Sequence, residues 1–453
     1  MKSIKRCQHI ISLFIIFFII GMIILVIKIQ TEADFYMMNA KVHRLGNVYD
    51  RYGNILFDGS GSGQYDPGTF IDVGNFIGDD KGQMSNTLVS KNLDKLNNYS
   101  FSEGLKKEGG KAAIYTTLDH NANRAVYNAY GGRKGCTVAY NYKTGEILVC
   151  TSLPSIDVTQ GYDNIDFLES GTLISKALYG TVPGSTQKVS TVITALEIMG
   201  QNKLFSKRFT CTGHFTNHNG DVIDCHNVYG HGELDIQKAL EYSCNAFFAQ
   251  LIEDSDMPLA KVKKVYEKLG YALNGKEMET FDIDGIECET ASTTLEDSYE
   301  FRTQWGCIGQ GDTLVSPVQL MMWESAIANE TGKMTMPYVI DHTTDVSGRV
   351  KDRAKTSFSK QLFSADTAAT VKQMLLTNGA NNYVYSISGY NIGVKSGTAQ
   401  VDEGNTENSL LTGFVDDPDH PIAFCILIED KNNGSITTEY IAQVLLDSLC
   451  ISN

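Results

Sequence analysis

Positive charge is scarce in this chain of 453 residues. Its 38 lysines and arginines face 53 aspartates and glutamates, which gives a net charge of −15. Proteins that bind nucleic acid need a basic patch to meet the phosphates, so a nucleic-acid partner is not expected. GxGxxG and phosphate-binding loop motifs are also missing, and nucleotide chemistry is therefore not indicated. The length is sufficient for two or three domains, and no internal repeat divides them.

Long apolar runs are equally scarce, since the sequence has one, at residues 10–27. Its 18 residues are just long enough to span a bilayer as a helix. The alternative is a cleaved signal peptide, but no small-residue cleavage site follows. Lys2, Lys5 and Arg6 precede the run, and such charges stay on the cytoplasmic side. The sequence predicts a cytoplasmic tail (1–9), a single-pass cell-membrane anchor and an extracytoplasmic remainder.

Cysteine is not dense enough for a disulfide scaffold, because ten cysteines are spread over the whole chain. Cys211 and Cys225 flank a polar loop and could pair outside the membrane. Together with His214, His226 and His231 they could instead hold zinc, but the spacing is not that of a familiar zinc motif. A disulfide or free thiols are favoured, and no metal site is predicted.

The second part of the chain contains clear strand and helix patterns. The segments "CTVAYNY" and "EILVCTS" alternate like strands and are joined by the turn Lys143–Gly145. Near the C-terminus, "LLTGFVDD" and "IAFCILIED" are typical of buried strands. Between them, "SPVQLMMWESAIANE" predicts an amphipathic helix capped by Ser316 with Pro317 at its first position. Together these patterns predict an antiparallel sheet with helices on its faces.

Ser185 follows Pro-Gly at the start of a predicted helix, and Lys188 lies one turn further on. A serine hydroxyl becomes a nucleophile when an adjacent base removes its proton. Lys188 could be that base if burial and a second positive charge lowered its pKa. The helix N-terminus could supply an oxyanion-hole N–H. Taken alone, the pair is better explained as a helix cap and a surface lysine.

Two later motifs change that interpretation. Ser243 and Asn245 fall between helical stretches, where their side chains can project into a cleft. The segment "KSGT" begins at Lys395, just before the closing strands. Its Gly397 would let a substrate backbone approach the strand edge, and Thr398 adds a hydroxyl and a backbone N–H. A literal "KTG" also occurs at residues 143–145, but it precedes the serine motif and lies in a hairpin turn.

The motifs S-x-x-K, S-x-N and K-S-G stand in the order that penicillin-binding proteins and serine β-lactamases share. The chain resembles a class B penicillin-binding protein, a membrane-anchored serine D,D-transpeptidase of peptidoglycan synthesis. The likeness runs from about Val42 to the C-terminus and includes "RLGNVYDRYGNILFDG", "HGELDIQKALEYSCNAFF" and "IGQGDTLVSPVQLM". It departs from the family pattern at "ENSLLTGFV", where an aromatic residue usually precedes "GF".

The resemblance implies an α+β fold with a transpeptidase/β-lactamase-like domain. In it, a five-stranded antiparallel sheet is flanked by helices and an all-helical subdomain, and the active site lies between them. A short N-terminal pedestal would occupy residues 28–113 and the transpeptidase domain residues 114–453.

The resemblance also implies roles for the motif residues. Ser185 would attack the D-Ala-D-Ala end of a stem peptide, and Lys188 would accept its proton. Ser243 would relay a proton to the leaving amine, with Lys395 setting the electrostatics around it. Asn245 would bind the substrate amide.

The remaining motif residues would bind substrate. Ser396 and Thr398 would hold the terminal carboxylate beside Gly397, and the backbone N–H groups of Ser185 and Thr398 would form the oxyanion hole. The implied partners are peptidoglycan stem peptides, lipid-linked precursors, β-lactam antibiotics and a lipid-carrier-dependent glycan polymerase, with no cofactor. Alternatives are a D,D-carboxypeptidase, a β-lactamase or penicillin sensor, and a catalytically silent scaffold of a cell-wall polymerase complex.

Overall fold

The computed structural model describes most of the chain, namely residues 2–39, 45–63, 68, 70–100, 104–105, 110–160, 162, 165–401 and 404–451. Several parts of the predicted pedestal lie outside the described residues, namely 40–44, 64–67, 69, 101–103 and 106–109.

The helices of the described residues are α1 (Lys2–Asn39), α2 (Gly74–Ile77), α3 (Leu88–Lys91), α4 (Leu93–Leu96), α5 (His120–Ala129), α6 (Lys188–Met199), α7 (Gln201–Ser206), α8 (Ile236–Glu241), α9 (Asn245–Glu253), α10 (Leu259–Leu269), α11 (Phe301–Ile308), α12 (Pro317–Ala328), α13 (Ala365–Asn382) and α14 (Thr438–Cys450).

The strands are β1 (Asn47–Tyr49), β2 (Ile55–Phe57), β3 (Tyr99–Ser100), β4 (Gly104–Leu105), β5 (Ala113–Thr116), β6 (Gly135–Asn141), β7 (Ile147–Leu153), β8 (Phe209–Cys211), β9 (His214–Thr216), β10 (Val222–Asp224), β11 (Gly232–Leu234), β12 (Tyr271–Leu273), β13 (Thr280–Ile283), β14 (Ile286–Glu289), β15 (Ala291–Thr293), β16 (Leu314–Val315), β17 (Ile340–Thr344), β18 (Val350–Arg353), β19 (Ile392–Val401), β20 (Thr406–Val415) and β21 (Ile422–Ile428).

The N-terminal helix α1 contains the predicted anchor. Its stretch Ile4–Ile29 is 26 residues long and apolar enough to cross a membrane, by length and composition. None of this stretch is buried against the rest of the described chain. The helix is longer than the predicted run of 10–27 because helical structure continues through the polar residues on both sides. Its orientation in a membrane stays a prediction.

The central sheet has five antiparallel strands in the order β19-β20-β21-β6-β7. Both of its faces are covered, which explains the unbroken apolar run of β21. Phe424 and Ile426 pack on the side of α5 and α14, whereas Ala423 and Cys425 pack on the opposite side. The predicted antiparallel sheet with helices on its faces is confirmed.

A second sheet has the order β18-β17-β5-β1-β2 and mixes both strand directions. Its strand β5 crosses the predicted boundary between residues 113 and 114. Its strands β17 and β18 come from residues 340–353, far along the chain. The N-terminal region is therefore completed by strands that the sequence analysis placed in the transpeptidase domain.

Helix α12 was expected to be amphipathic, and this is wrong, because every residue from Pro317 to Ala328 is buried. The helix lies between the central sheet and the neighbouring helices, so it has no solvent face. Its start matches the prediction, since Ser316 Oγ accepts a hydrogen bond from Gln319 N at 3.1 Å. The helical subdomain, which contains α8 to α11, also carries the short strand pairs β8–β11 and β9–β10.

Candidate active site

Ser185 lies on a tight turn that leads into α6. A short 3-10 helix, Gly184–Gln187, carries it, and α6 begins only at Lys188. The sequence placed Ser185 inside the first α-helical turn, but the chain tightens there, as is common at helix N-termini. The predicted pairing nevertheless forms, because Lys188 Nζ lies 2.7 Å from Ser185 Oγ.

The Lys188 amine is fully buried among polar partners. Its Nζ also donates to Asn245 Oδ1 at 2.7 Å and to Ser243 O at 2.9 Å. Burial lowers the pKa of Lys188 well below its ordinary value, and the nearby charge of Lys395 lowers it further. These are the two causes that the sequence analysis required. A neutral amine at this distance can accept the proton of Ser185.

Ser243 bridges the two lysines. Its Oγ accepts hydrogen bonds from Lys188 Nζ and from Lys395 Nζ, both at 3.1 Å. The residue lies in the loop between α8 and α9 with φ of 53°, a left-handed conformation that is strained for a residue with a side chain. Asn245, the first residue of α9, is held by its Nδ2 donating to Asp224 O at 3.0 Å. This loop therefore aims a hydroxyl and an amide at the nucleophile.

Lys395 lies on β19, the edge strand of the central sheet. Its side chain is 2% exposed, and its Nζ also donates to Ser396 O at 2.8 Å. Burial lowers the pKa of Lys395 to about 7. Ser396 and Thr398, two positions apart and therefore on the same face of β19, line the cleft.

Two glycines let β19 touch the nucleophile turn. A Cβ on Gly397 would lie 2.6 Å from Pro183 O, and a Cβ on Gly184 would lie 2.6 Å from Thr398 O. Gly184 also has φ of +54°, which glycine tolerates well. The sequence assigned Gly397 to the approach of a substrate backbone. The backbone that approaches in the structure is that of the nucleophile turn.

The early "KTG" at 143–145 is remote from this site. It forms the turn between β6 and β7, in which Asn141 Oδ1 accepts hydrogen bonds from two backbone N–H groups. Strand β7 is the edge of the sheet opposite to β19. The assignment of the third motif to Lys395, Ser396 and Gly397 agrees with this geometry.

Residues 135–447 match the sequence model of the penicillin binding protein transpeptidase domain. This match covers more than half of the chain. The chain belongs to the penicillin-binding protein transpeptidase family.

Named relatives are similar over most of the chain. Peptidoglycan D,D-transpeptidase MrdA of Salmonella typhimurium is 24% identical over 377 residues, which cover 74% of this chain and 58% of the relative. Peptidoglycan D,D-transpeptidase FtsI of Buchnera aphidicola is 25% identical over 353 residues, which cover 74% of this chain and 56% of that relative. The chain thus spans less than two thirds of the length of these relatives.

Solved structures share the fold. The D,D-transpeptidase domain of a peptidoglycan glycosyltransferase from Eggerthella lenta aligns with a TM-score of 0.74 at 23% identity, over 90% of this chain and 98% of that one. The penicillin G acyl-enzyme of penicillin-binding protein A from M. tuberculosis aligns with a TM-score of 0.73 at 18% identity, over 90% of this chain and 99% of that one. The transpeptidase-type α+β fold predicted from the motifs is confirmed.

The cleft of this family member has a volume of about 510 Å³ and contains residues that the sequence analysis gave no role. Phe301 and Trp305 stack with ring centroids 5.3 Å apart and form an apolar wall. Gln310 donates to Thr398 O at 3.1 Å and accepts from Gln400 N at 3.2 Å, so it holds the edge of β19. The segment "IGQGDT" was noted for its resemblance, but only the fold shows what its glutamine contacts.

Four side chains could hold a metal ion beside the second motif. These side chains are Cys211, Cys225, His231 and Cys244, and their ligand atoms all lie within 4.8 Å of one another. Cys225 Sγ lies 3.9 Å from Cys244 Sγ and 3.6 Å from His231 Nδ1. Three cysteines and one histidine are a known donor set for structural zinc, in which neighbouring sulfurs lie about 3.7 Å apart. The residues therefore fit a zinc ion, which would tie the loop of Cys244 to the hairpins.

The structure decides between the alternatives drawn from the sequence for these cysteines. Cys211 and Cys225 are free thiols rather than a disulfide. His214 and His226 are not in the set of four, whereas Cys244, which the sequence analysis did not include, completes it. Cys211, Cys225 and His231 were in the zinc alternative drawn from the sequence, whereas Cys244 comes from the separate loop between α8 and α9, so linear spacing did not reveal it.

Proposed function

We propose that this chain is a peptidoglycan D,D-transpeptidase that acts through an acyl-enzyme on Ser185. The observation that carries the proposal is the buried Lys188 amine 2.7 Å from Ser185 Oγ, in a family member with all three motifs assembled. Ser185 Oγ attacks the carbonyl carbon between the two terminal D-alanines of a stem peptide while Lys188 takes its proton. The C–N bond breaks, D-alanine leaves, and an ester joins the peptide to Ser185.

The other motif residues serve this reaction. Ser243, bonded to both lysines, passes a proton to the leaving amine, and Asn245 binds the substrate amide. The backbone N–H groups of Ser185 and Thr398 stabilise the oxyanion, where one lost donor typically costs roughly 100- to 1000-fold in rate. An amine of a second stem peptide then attacks the ester and forms the cross-link.

The carboxylate of the substrate binds at the open end of β19. Ser396 and Thr398 offer hydroxyl groups there, and Lys431 Nζ lies 3.5 Å from Thr398 Oγ1. β-Lactams carry a carboxylate in the same place and acylate Ser185. The penicillin G acyl-enzyme of the M. tuberculosis protein, which shares the fold, supports this expectation.

The protein is proposed to be anchored in the cell membrane by α1, with residues 114–453 as an extracytoplasmic transpeptidase domain on a pedestal of residues 28–113, whose sheet is completed by β5, β17 and β18. Lipid-linked precursors and a lipid-carrier-dependent glycan polymerase are its proposed partners.

The test is intact-mass analysis of the full-length protein in detergent after mixing with benzylpenicillin. A stable adduct of the mass of the drug is expected on the wild type and not on Ser185→Ala. Ser190→Ala is the matched control, because Ser190 is buried in α6 and should leave the adduct unchanged. Rapid drug hydrolysis without an adduct would identify a β-lactamase, and neither adduct nor hydrolysis in a folded protein would favour a silent scaffold.

A further inference from the structure

The serine of the third motif has a hydrogen-bond partner outside the three motifs. Tyr383 Oη donates to Ser396 Oγ at 2.6 Å. A serine hydroxyl has one proton to donate and accepts through its lone pairs. A carboxylate only accepts, so Ser396 can bind it only through that single proton. With the Tyr383 proton directed at Ser396 Oγ, the Ser396 proton is left to point into the cleft.

The packing of α13 against β19 fixes the place of Tyr383. Asn378 Nδ2, on the last part of α13, donates to Val394 O at 2.7 Å and so covers the edge of the strand. Tyr383 directly follows α13, and its backbone N–H donates to Gly379 O at 3.0 Å. These hydrogen bonds fix the end of α13 against β19, and they place the Tyr383 phenol beside Ser396, two residues beyond Val394.

Tyr383 remains a proton donor at working pH. Its ring packs against the apolar cluster between the sheet and the helices α5 and α14. Burial raises the pKa of Tyr383 above its ordinary value, so the phenol keeps its proton through the neutral range.

We propose that Tyr383 is a positioning residue for carboxylate recognition. Its hydroxyl sets the direction of the Ser396 hydroxyl, so that the Ser396 proton meets the terminal carboxylate of a stem peptide or the carboxylate of a β-lactam. The proposal rests on the carboxylate-binding role proposed above for Ser396, and it deepens that role.

The test uses Tyr383→Phe in the full-length protein, which removes one oxygen atom and keeps the ring. Acylation rates are measured with benzylpenicillin and with its carboxyl methyl ester. We expect the rate with the free acid to fall about 5- to 10-fold, the usual effect of weakening one hydrogen bond to a charged group, and the rate with the ester to change less than about two-fold. Tyr390→Phe is the control, because Tyr390 packs against the same cluster and its Oη donates to Asp447 Oδ1 at 2.7 Å.

A double-mutant cycle with Ser396→Ala then separates positioning from general packing. If Tyr383 acts through Ser396, the tyrosine change has no further effect once the serine hydroxyl is gone. The proposal would be overturned if Tyr383→Phe lowered the acylation rates of the acid and the ester equally, or left the rate with the acid unchanged. It would also be overturned if the effects of the two substitutions on the acylation rate were additive in the cycle. A wild-type protein that is not acylated would overturn the proposed function first, whereas an acylated wild type with an unaffected Tyr383→Phe overturns this inference alone.

Discussion

Replacing Gly397 by alanine should separate Ser185 from β19, the strand proposed to supply an oxyanion-hole N–H. The new Cβ would lie 2.6 Å from Pro183 O, whereas ordinary contacts begin near 3.4 Å, so β19 and the nucleophile turn must move apart by about 0.8 Å. Overpacking of this kind typically costs about 1–3 kcal/mol in the free energy of unfolding. A misplacement near 1 Å can lower a rate by roughly 100-fold, so we expect acylation to slow between about 30- and 100-fold.

The assay is the rate of labelling by a fluorescent penicillin, measured on protein whose folded fraction is known from its thermal melt. Gly393→Ala is the matched control. It overpacks the same strand, since its Cβ would lie 2.3 Å from Phe414 Cζ, but it does not touch the nucleophile turn. We expect the control to lose stability while keeping its labelling rate. If Gly397→Ala labels within two-fold of the wild type, or if both variants slow equally, the spacing argument is refuted.

Two further predictions concern the buried lysine and the cysteine cluster. Lys395→Met should slow acylation yet raise the melting temperature. Burial lowers the pKa of Lys395 to about 7, so below that pH the folded protein must bury a charged ammonium group, which costs stability. The increase in melting temperature should be largest below pH 7 and shrink toward pH 10. Between these values the folded wild type has lost the Lys395 proton while the unfolded chain still holds it, so the wild type becomes more stable as the pH rises. An increase in melting temperature that grows with pH would contradict this reasoning. Zinc added to the reduced wild-type protein should raise its melting temperature. The Cys225→Ser variant should show no such increase, whereas the control His226→Ala should respond to zinc like the wild type. An unchanged melting temperature with zinc would refute that expectation.

Local patterns in the chain were enough to predict the candidate site residues and an antiparallel sheet with helices on its faces. Ser185 and Lys188 are one turn apart, so local structure alone brings them together. Alternation and apolar runs predicted four of the five strands of the central sheet, β6, β7, β20 and β21, because a strand covered on both faces needs apolar residues at every position. The cap at Ser316 was equally local, since its partner lies three residues away.

Features that depend on distant segments of the chain became visible only in the folded protein. Helix α12 was predicted to be amphipathic, and only packing on all sides explains why it has no exposed face. The second sheet takes β17 and β18 from residues 340–353, which no local pattern connects with the N-terminal strands. Gly397 needs its hydrogen side chain because another segment, at Pro183, passes within contact distance.

The same reason explains the residues that the sequence analysis missed. Tyr383 contacts Ser396 and Cys244 contacts Cys225 only because packed elements bring their side chains within hydrogen-bond distance. Spacing along the chain carries information about neighbours within a turn or a hairpin. Contacts between separate elements are fixed by the packing of helices and strands, and the function of such residues becomes visible only in the folded chain.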